Sequence, residues 1–225
     1  MSKKTKLIEC PRDAMQGWPQ FIPTQKKIDY INALLKVGFD TIDFGSFVSP
    51  KAIPQMADTK DVIGNLELGT GNTKLLAIIA NERGATDAVM YDEITYLGFP
   101  FSVSETFQKR NTNSTIAESL NRVEAIQNLC VKNNKELVVY ISMGFGNPYG
   151  DVYNETIVFE WVNKLVAKGI KIISLADTVG LATAAQVSSV TEYLVNALPE
   201  VEIGVHLHST PLNWKEKVDA ALQAG

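Results

Sequence analysis

The chain has 225 residues, 45% hydrophobic and 20% charged, with a formal net charge of -4, enough apolar material for one sizeable core. Mild acidity and the lack of any dense Lys/Arg stripe exclude a nucleic-acid backbone or an anionic membrane as the main partner, and leave a small anionic ligand allowed. No apolar run approaches the ~20 residues of a membrane span and MSKKTKLIEC lacks the apolar core of a secretory signal, so a reducing cytoplasm is the expected location.

In chain order, KLIEC is a short apolar run. Residues 23 to 37, PTQKKIDYINALLKV, place Ile28, Ile31, Leu34 and Leu35 at helical spacing, with Pro23 and Gly38 as start and stop. FDTIDFGSF reads as a strand, IPQMADTKDVIGNL as a helix and KLLAIIAN as a buried strand. A helix near RGATDAVMY, the strand EITYLGFPF and the amphipathic helix TIAESLNRVEAIQNLCVKNN follow. KELVVYISM, TIVFEWVNKLVAKG, IKIISLA, TAAQVSSVTEYLVNAL, VEIGVHLHST and WKEKVDAALQAG continue the alternation to the end. Strands such as VVYI and IKII are apolar on both faces, as in a parallel sheet covered by helices. Cys10 and Cys130 fit neither a metal spacing nor a disulfide framework and read as buried filler.

Two architectures accept this rhythm. A doubly wound sheet calls for a glycine-rich turn after its first strand, and ECPRDAMQ contains no glycine. A (β/α)₈ TIM barrel collects its chemistry at the carboxyl ends of its strands, and here those ends are polar: Arg12 and Asp13, Asp43 and Ser46, Asn81, Ser142, Ser174 and Asp177, then His206 and His208. The expectation is one barrel domain over residues 1–225 with seven βα units, an eighth strand falling beyond Gly225.

Both histidines of the chain lie in VHLHST. Residues two apart on a strand share a face, so His206 and His208 project side by side and two imidazoles can share one ion. In a barrel the first strand's end returns near the seventh, and Asp13 there offers the carboxylate of a His, His, Asp set. Such mixed nitrogen and oxygen ligation suits Mg²⁺ or Mn²⁺, with Zn²⁺ also accommodated. The plainer alternative is a pair of hydrogen-bonded histidines near a strand end.

The motifs PRDAMQ, IDFGSFVSPKAIPQM, SETFQKRNTNSTIAESLNR, SLADTVG and VHLHST, in this order over nearly the full length, resemble the 3-hydroxy-3-methylglutaryl-CoA lyases. The wider group, with homocitrate synthase, isopropylmalate synthase and 4-hydroxy-2-oxovalerate aldolase, shares the first-strand RD and the HxH; SFVSPK favours the lyase branch. The resemblance implies a divalent metal on Asp13, His206 and His208, and an acyl-CoA substrate cleaved to acetoacetate and acetyl-CoA. It places Arg12 at the enolate, Gln16 beside the substrate, Ser46 and Ser174 near the thioester arm, and Asp177 at proton transfer. Asp43 stands where the family has a glutamate. Lys51 would attract the CoA phosphates or be merely solvated, and Asp177 would otherwise cap the next helix.

Departures accompany these matches. Ala14 replaces a glycine, Asp43 is one methylene shorter than the family's glutamate, and Ser209 replaces an aspartate that commonly follows the histidines. The family's cysteine-bearing glycine-rich loop and asparagine ligand are expected past Gly225. A related aldolase or Claisen synthase acting on a 2-oxo acid, and a degenerate acyl-CoA-binding barrel without turnover, are the alternatives. A homodimer is compatible with all three.

Overall fold

The computed structural model describes residues 5–225. Seven strands follow one another in chain order: β1 (Ile8–Glu9), β2 (Thr41–Ser46), β3 (Lys74–Ile78), β4 (Ile94–Ser102), β5 (Glu136–Ser142), β6 (Ile172–Asp177) and β7 (Glu202–Leu207). Helices fill the intervals: α1 (Pro11–Gln16), α2 (Thr24–Leu35), α3 (Thr59–Ile63), α4 (Glu82–Ala88), α5 (Glu105–Thr112), α6 (Ile116–Lys132), α7 (Glu155–Ala167), α8 (Ala184–Ala197) and α9 (Trp214–Gln223). A doubly wound sheet would reverse its strand order near the middle. The sequential order is instead that of a (β/α)₈ barrel carried through seven units.

The chain divides into two compact units, one reaching to Gly98 and including Leu129–Glu136, the other made of Phe99–Asn128 and Leu137–Gly225. In the first, β1, β2, β3 and the leading part of β4 pair in parallel. Ile42, Leu75, Leu76 and Leu97 are fully buried under Ile28 and Ile31 of α2, Val62 and Ile63 of α3, and Ala85 and Ala88 of α4. In the second, Val103 N–H bonds Ser142 C=O at 3.2 Å beyond β4, and β5, β6 and β7 pair in parallel. Phe99, Phe101, Val139, Ile141, Ile173 and Leu175 form its interior with Val158, Val162 and Leu165 of α7 and Val187, Val190 and Leu194 of α8. Each such side chain contributes about 1.5–3 kcal/mol on leaving water.

Several polar residues at strand ends serve the following helix. Asn81, Ser104, Asn154 and Thr183 each accept a backbone N–H from the first turn of α4, α5, α7 and α8, and Thr183 forms a full capping box with Gln186. Asp177 therefore is not the cap of α8. The register of β2 shifts between Asp43 and Gly45, where a Cβ on Gly45 would lie 2.7 Å from Thr59 Cγ2. That close approach lets the Thr59 hydroxyl accept from Ser46 N–H at 3.1 Å and donate to Met56 C=O at 2.8 Å, fixing the strand end that carries Asp43. Among the described residues no helix is long and apolar enough to cross a membrane.

The sequence reading missed two short helices and misplaced one pair. Arg12 and Asp13 lie in α1, not on the first strand, which ends at Glu9. Pro11 at the first helical position supplies a φ already suited to the turn. The helix expected around IPQMADTKDVIGNL is a 3-10 turn at Pro54–Met56 followed by α3.

Candidate functional site

In the first unit α1 and β2 build a charged cluster. The β1–β2 register pairs Glu9 with Ile42, so the residues that follow on each strand, α1 on one side and Asp43 on the other, end up as neighbours. Arg12 Nε donates to Asp43 Oδ1 at 3.2 Å and Oδ2 at 3.1 Å, and Nη2 donates to Oδ2 at 2.5 Å. Its remaining nitrogen, Nη1, donates to Asp13 Oδ1 at 2.9 Å and Gln16 Oε1 at 3.0 Å. Gln16 Nε2 closes the ring by donating to the same Asp13 oxygen at 2.9 Å. Asp43 is 0% exposed, whereas the Asp13 side chain keeps 23%. The guanidinium fork thus has one wholly buried counter-ion and one that still reaches solvent, an arrangement that fixes its plane. The shorter aspartate at position 43 reaches Arg12 directly. Burial, reinforced by the Asp43 carboxylate, pushes the Cys10 thiol up to about 12, which disfavours its thiolate.

Ser46 and Lys51 follow in the same unit. The Ser46 hydroxyl donates to Ile78 C=O at 3.3 Å and accepts from Val48 N–H at 3.2 Å. It is buried and shapes the loop after β2, on which Lys51 stands exposed.

In the second unit β6 and β7 and the residues that follow them carry Ser174, Asp177, His206 and His208, with Asp177 in register with Leu207 and not with either histidine. Register places Ser174 against Gly204, Ala176 against His206 and Asp177 against Leu207. The two imidazoles lie 5.3 Å apart between centroids, and His206 meets the Tyr140 ring edge-on at 5.8 Å. This is the side-by-side placement expected of an HxH on a strand, with His206 half-buried and His208 exposed just beyond it. Asp177 is buried. Its Oδ1 accepts from Ala182 N–H at 3.1 Å and its Oδ2 from Lys217 Nζ at 2.8 Å. Sequence reading did not single out Lys217, because a lysine in WKEK reads as solvated.

A second feature also escaped it. Asp151, in the loop after β5, accepts from Ser104 Oγ at 2.5 Å, Thr106 N–H at 2.9 Å and Thr106 Oγ1 at 2.8 Å, tying that loop to the first turn of α5. These bonds, the Ser104 hydroxyl foremost, hold its carboxyl below the ordinary value of 3.8. A depressed folded-state pKa contributes stability that is present above the unfolded value and is lost as pH falls through the folded one. The thermal-midpoint gap between the native chain and Asp151→Asn is therefore expected to stay constant from about pH 7 to 5 and to shrink below about pH 4. A gap unchanged at pH 3 would remove Asp151 as the anchor.

Residues 6–211 match the HMGL-like family model. The hydroxymethylglutaryl-CoA lyase YngG of Bacillus subtilis (strain 168) is 36% identical over 225 residues, 99% of this chain and 74% of that protein. A crystal structure of Bacillus subtilis HMG-CoA lyase superimposes with a TM-score of 0.92 at 34% identity, over 99% of this chain and 75% of that one. An HMG-CoA lyase from Acinetobacter baumannii, in complex with coenzyme A and 3-methylmalate, gives a TM-score of 0.90 at 32% identity, over 98% of this chain and 72% of that one. The family model spans the Arg12–Asp13 pair, Asp43, Asp177 and both histidines. With its seven-unit barrel topology and these matches, the chain belongs to the HMGL-like family.

Proposed function

We propose that this protein is a divalent-metal-dependent lyase that splits 3-hydroxy-3-methylglutaryl-CoA into acetoacetate and acetyl-CoA. The observation that carries this reading is the Arg12 fork, clamped by Asp43, Asp13 and Gln16, in a chain of the HMGL-like family. The reaction removes the proton from the tertiary hydroxyl, breaks the bond between C2 and C3, and leaves a ketone and a thioester enolate that takes up a proton. A fixed guanidinium offsets the charge that appears on the enolate oxygen, because its donors need no rearrangement as that charge forms.

Asp13, His206 and His208 are the residues assigned to the metal. Each offers one ligand atom, a carboxylate oxygen or an imidazole nitrogen, a donor set that fits a divalent cation with positions left for substrate oxygens. When bound, such a cation lowers the pKa of the substrate hydroxyl. Asp177 is the group assigned to proton transfer and Gln16 to the substrate. Ser174 and Lys51 are assigned to the CoA arm and its phosphates, and Ser46 acts by shaping the loop that carries Lys51.

Calorimetry with Mn²⁺ is expected to give one site per chain, with His206→Ala and Asp13→Ala each weakening it at least about tenfold, as loss of one of three ligands requires. Acetoacetate release from 3-hydroxy-3-methylglutaryl-CoA tests the chemistry. Turnover of a 4-hydroxy-2-oxo acid in its place would assign the protein to the aldolases. Tight CoA binding with no turnover of either would make it a binding protein.

A further inference from the structure

We infer that Lys217 is a positioning residue, whose buried ammonium holds the carboxylate of Asp177 and the main chain of His208 in one fixed arrangement; its use in catalysis rests on the function proposed above. An ammonium has three N–H donors and no acceptor. Lys217 Nζ lies 2.8 Å from Asp177 Oδ2, 3.3 Å from His208 C=O and 3.4 Å from Gly180 C=O, so three oxygens surround three donors. Both Lys217 and Asp177 side chains are 1% exposed.

These oxygens come from three different segments. Asp177 ends β6, Gly180 belongs to the loop that leaves it, and His208 follows β7. The loop passes close to the histidine: a Cβ on Gly180, whose φ is +73°, would lie 3.5 Å from the His208 carbonyl oxygen. Asp177 is opposite Leu207, the residue between the two imidazoles. Its second oxygen accepts from Ala182 N–H at 3.1 Å, so each carboxylate oxygen has a donor.

On α9 Lys217 is buried, flanked by the half-buried Ala220, Ala221 and Ala224. The small neighbours leave room for a long side chain to reach the strand ends. An apolar pair in place of Lys217 and Asp177 would serve stability equally well or better. What an apolar residue cannot do is bond the His208 carbonyl and the Asp177 carboxylate at once.

The chain has only His206 and His208, so nitrogen-15 correlation spectra of the imidazoles give each ring its own signals. In Lys217→Met, without added metal, the His208 ring signals are expected to shift or broaden, and Mn²⁺ affinity to fall by about tenfold, as for loss of a group that orients a ligand. Lys135→Met is the control, since that buried lysine serves the Tyr91 and Asp92 carbonyls; it is expected to lower the thermal midpoint and leave both readouts alone. The double variant Lys217→Met/Asp177→Leu is expected to regain thermal stability without regaining the His208 signals or the affinity. Should Lys217→Met not fold, Lys217→Gln, which keeps shorter-reaching donors, is expected to perturb His208 to a smaller degree. Unchanged His208 signals in a folded Lys217 variant, or recovery of both readouts in the double variant, would overturn the inference and leave Lys217 a structural residue. If instead His206→Ala leaves Mn²⁺ binding intact, the metal assignment fails, while the metal-free spectra still decide the role of Lys217.

Discussion

Arg12→Lys is expected to keep the fold and lose about 10² to 10³ in kcat, equivalent to roughly 2.7–4 kcal/mol of transition-state stabilisation. Lysine keeps a positive charge beside Asp43, so the carboxylate at 0% exposure is not left without a counter-ion. A compact ammonium cannot span Asp43 on one side and Asp13 with Gln16 on the other, as Nε, Nη1 and Nη2 do together. The charge stays and the fixed plane of donors goes. Steady-state kinetics on 3-hydroxy-3-methylglutaryl-CoA, beside circular dichroism and Mn²⁺ titration of the same variant, separate the effects. A rise confined to KM would assign Arg12 to ground-state binding, and a parallel loss of Mn²⁺ affinity would show that its main task is to orient Asp13.

Which features the sequence disclosed follows from the range over which each is determined. Apolar periodicity is local, so the alternation of strands and helices was legible, as was the HxH face that places His206 beside His208. Helix α1 was not, because six residues with one proline and a run of polar side chains carry no period. Helix α5 went unread for a similar reason: Glu105–Thr112 is held by its Ser104 cap and the Asp151 anchor more than by an apolar face. The resemblance named Arg12, Asp13 and Asp43, but the partnership of Arg12 with Asp43 spans 31 positions and becomes visible only once β1 and β2 are paired. Lys217 and Asp177 lie 40 positions apart and follow the same logic. A charged residue on a helix reads as solvated unless tertiary placement says otherwise.

Lys27 is another lysine hidden in this way, and its removal is expected to have the largest effect on stability. Periodicity in α2 marked Ile28 and Ile31 as buried and gave no sign that the neighbouring Lys27 is almost fully buried with them. Its ammonium donates to Asp58 Oδ1 at 2.7 Å and to Gln55 C=O, and lies 4.2 Å from the centroid of the Phe21 ring. Gln55 in turn accepts from Ile22 N–H at 2.8 Å and donates to Gln20 C=O at 2.9 Å and Trp18 C=O at 3.2 Å, so the loop that follows α1 is fastened through the same cluster. Asp58 Oδ2 is buried with no hydrogen-bond partner among the described residues, which leaves Lys27 as the main compensation for that charge. Lys27→Met fills the space with a side chain of similar length and leaves the carboxylate buried and uncompensated, at a cost of about 3–5 kcal/mol. In a chain of this size that lowers the thermal midpoint by roughly 6–20 °C. Adding Asp58→Leu should recover most of the loss, because an apolar pair has no charge to desolvate. Urea denaturation of the single and double variants measures both, and amide exchange in residues 17–22 follows the loop. A single variant within about 2 °C of the native chain would show that Asp58 finds another partner or takes up a proton, and that the pair does not hold this loop in place.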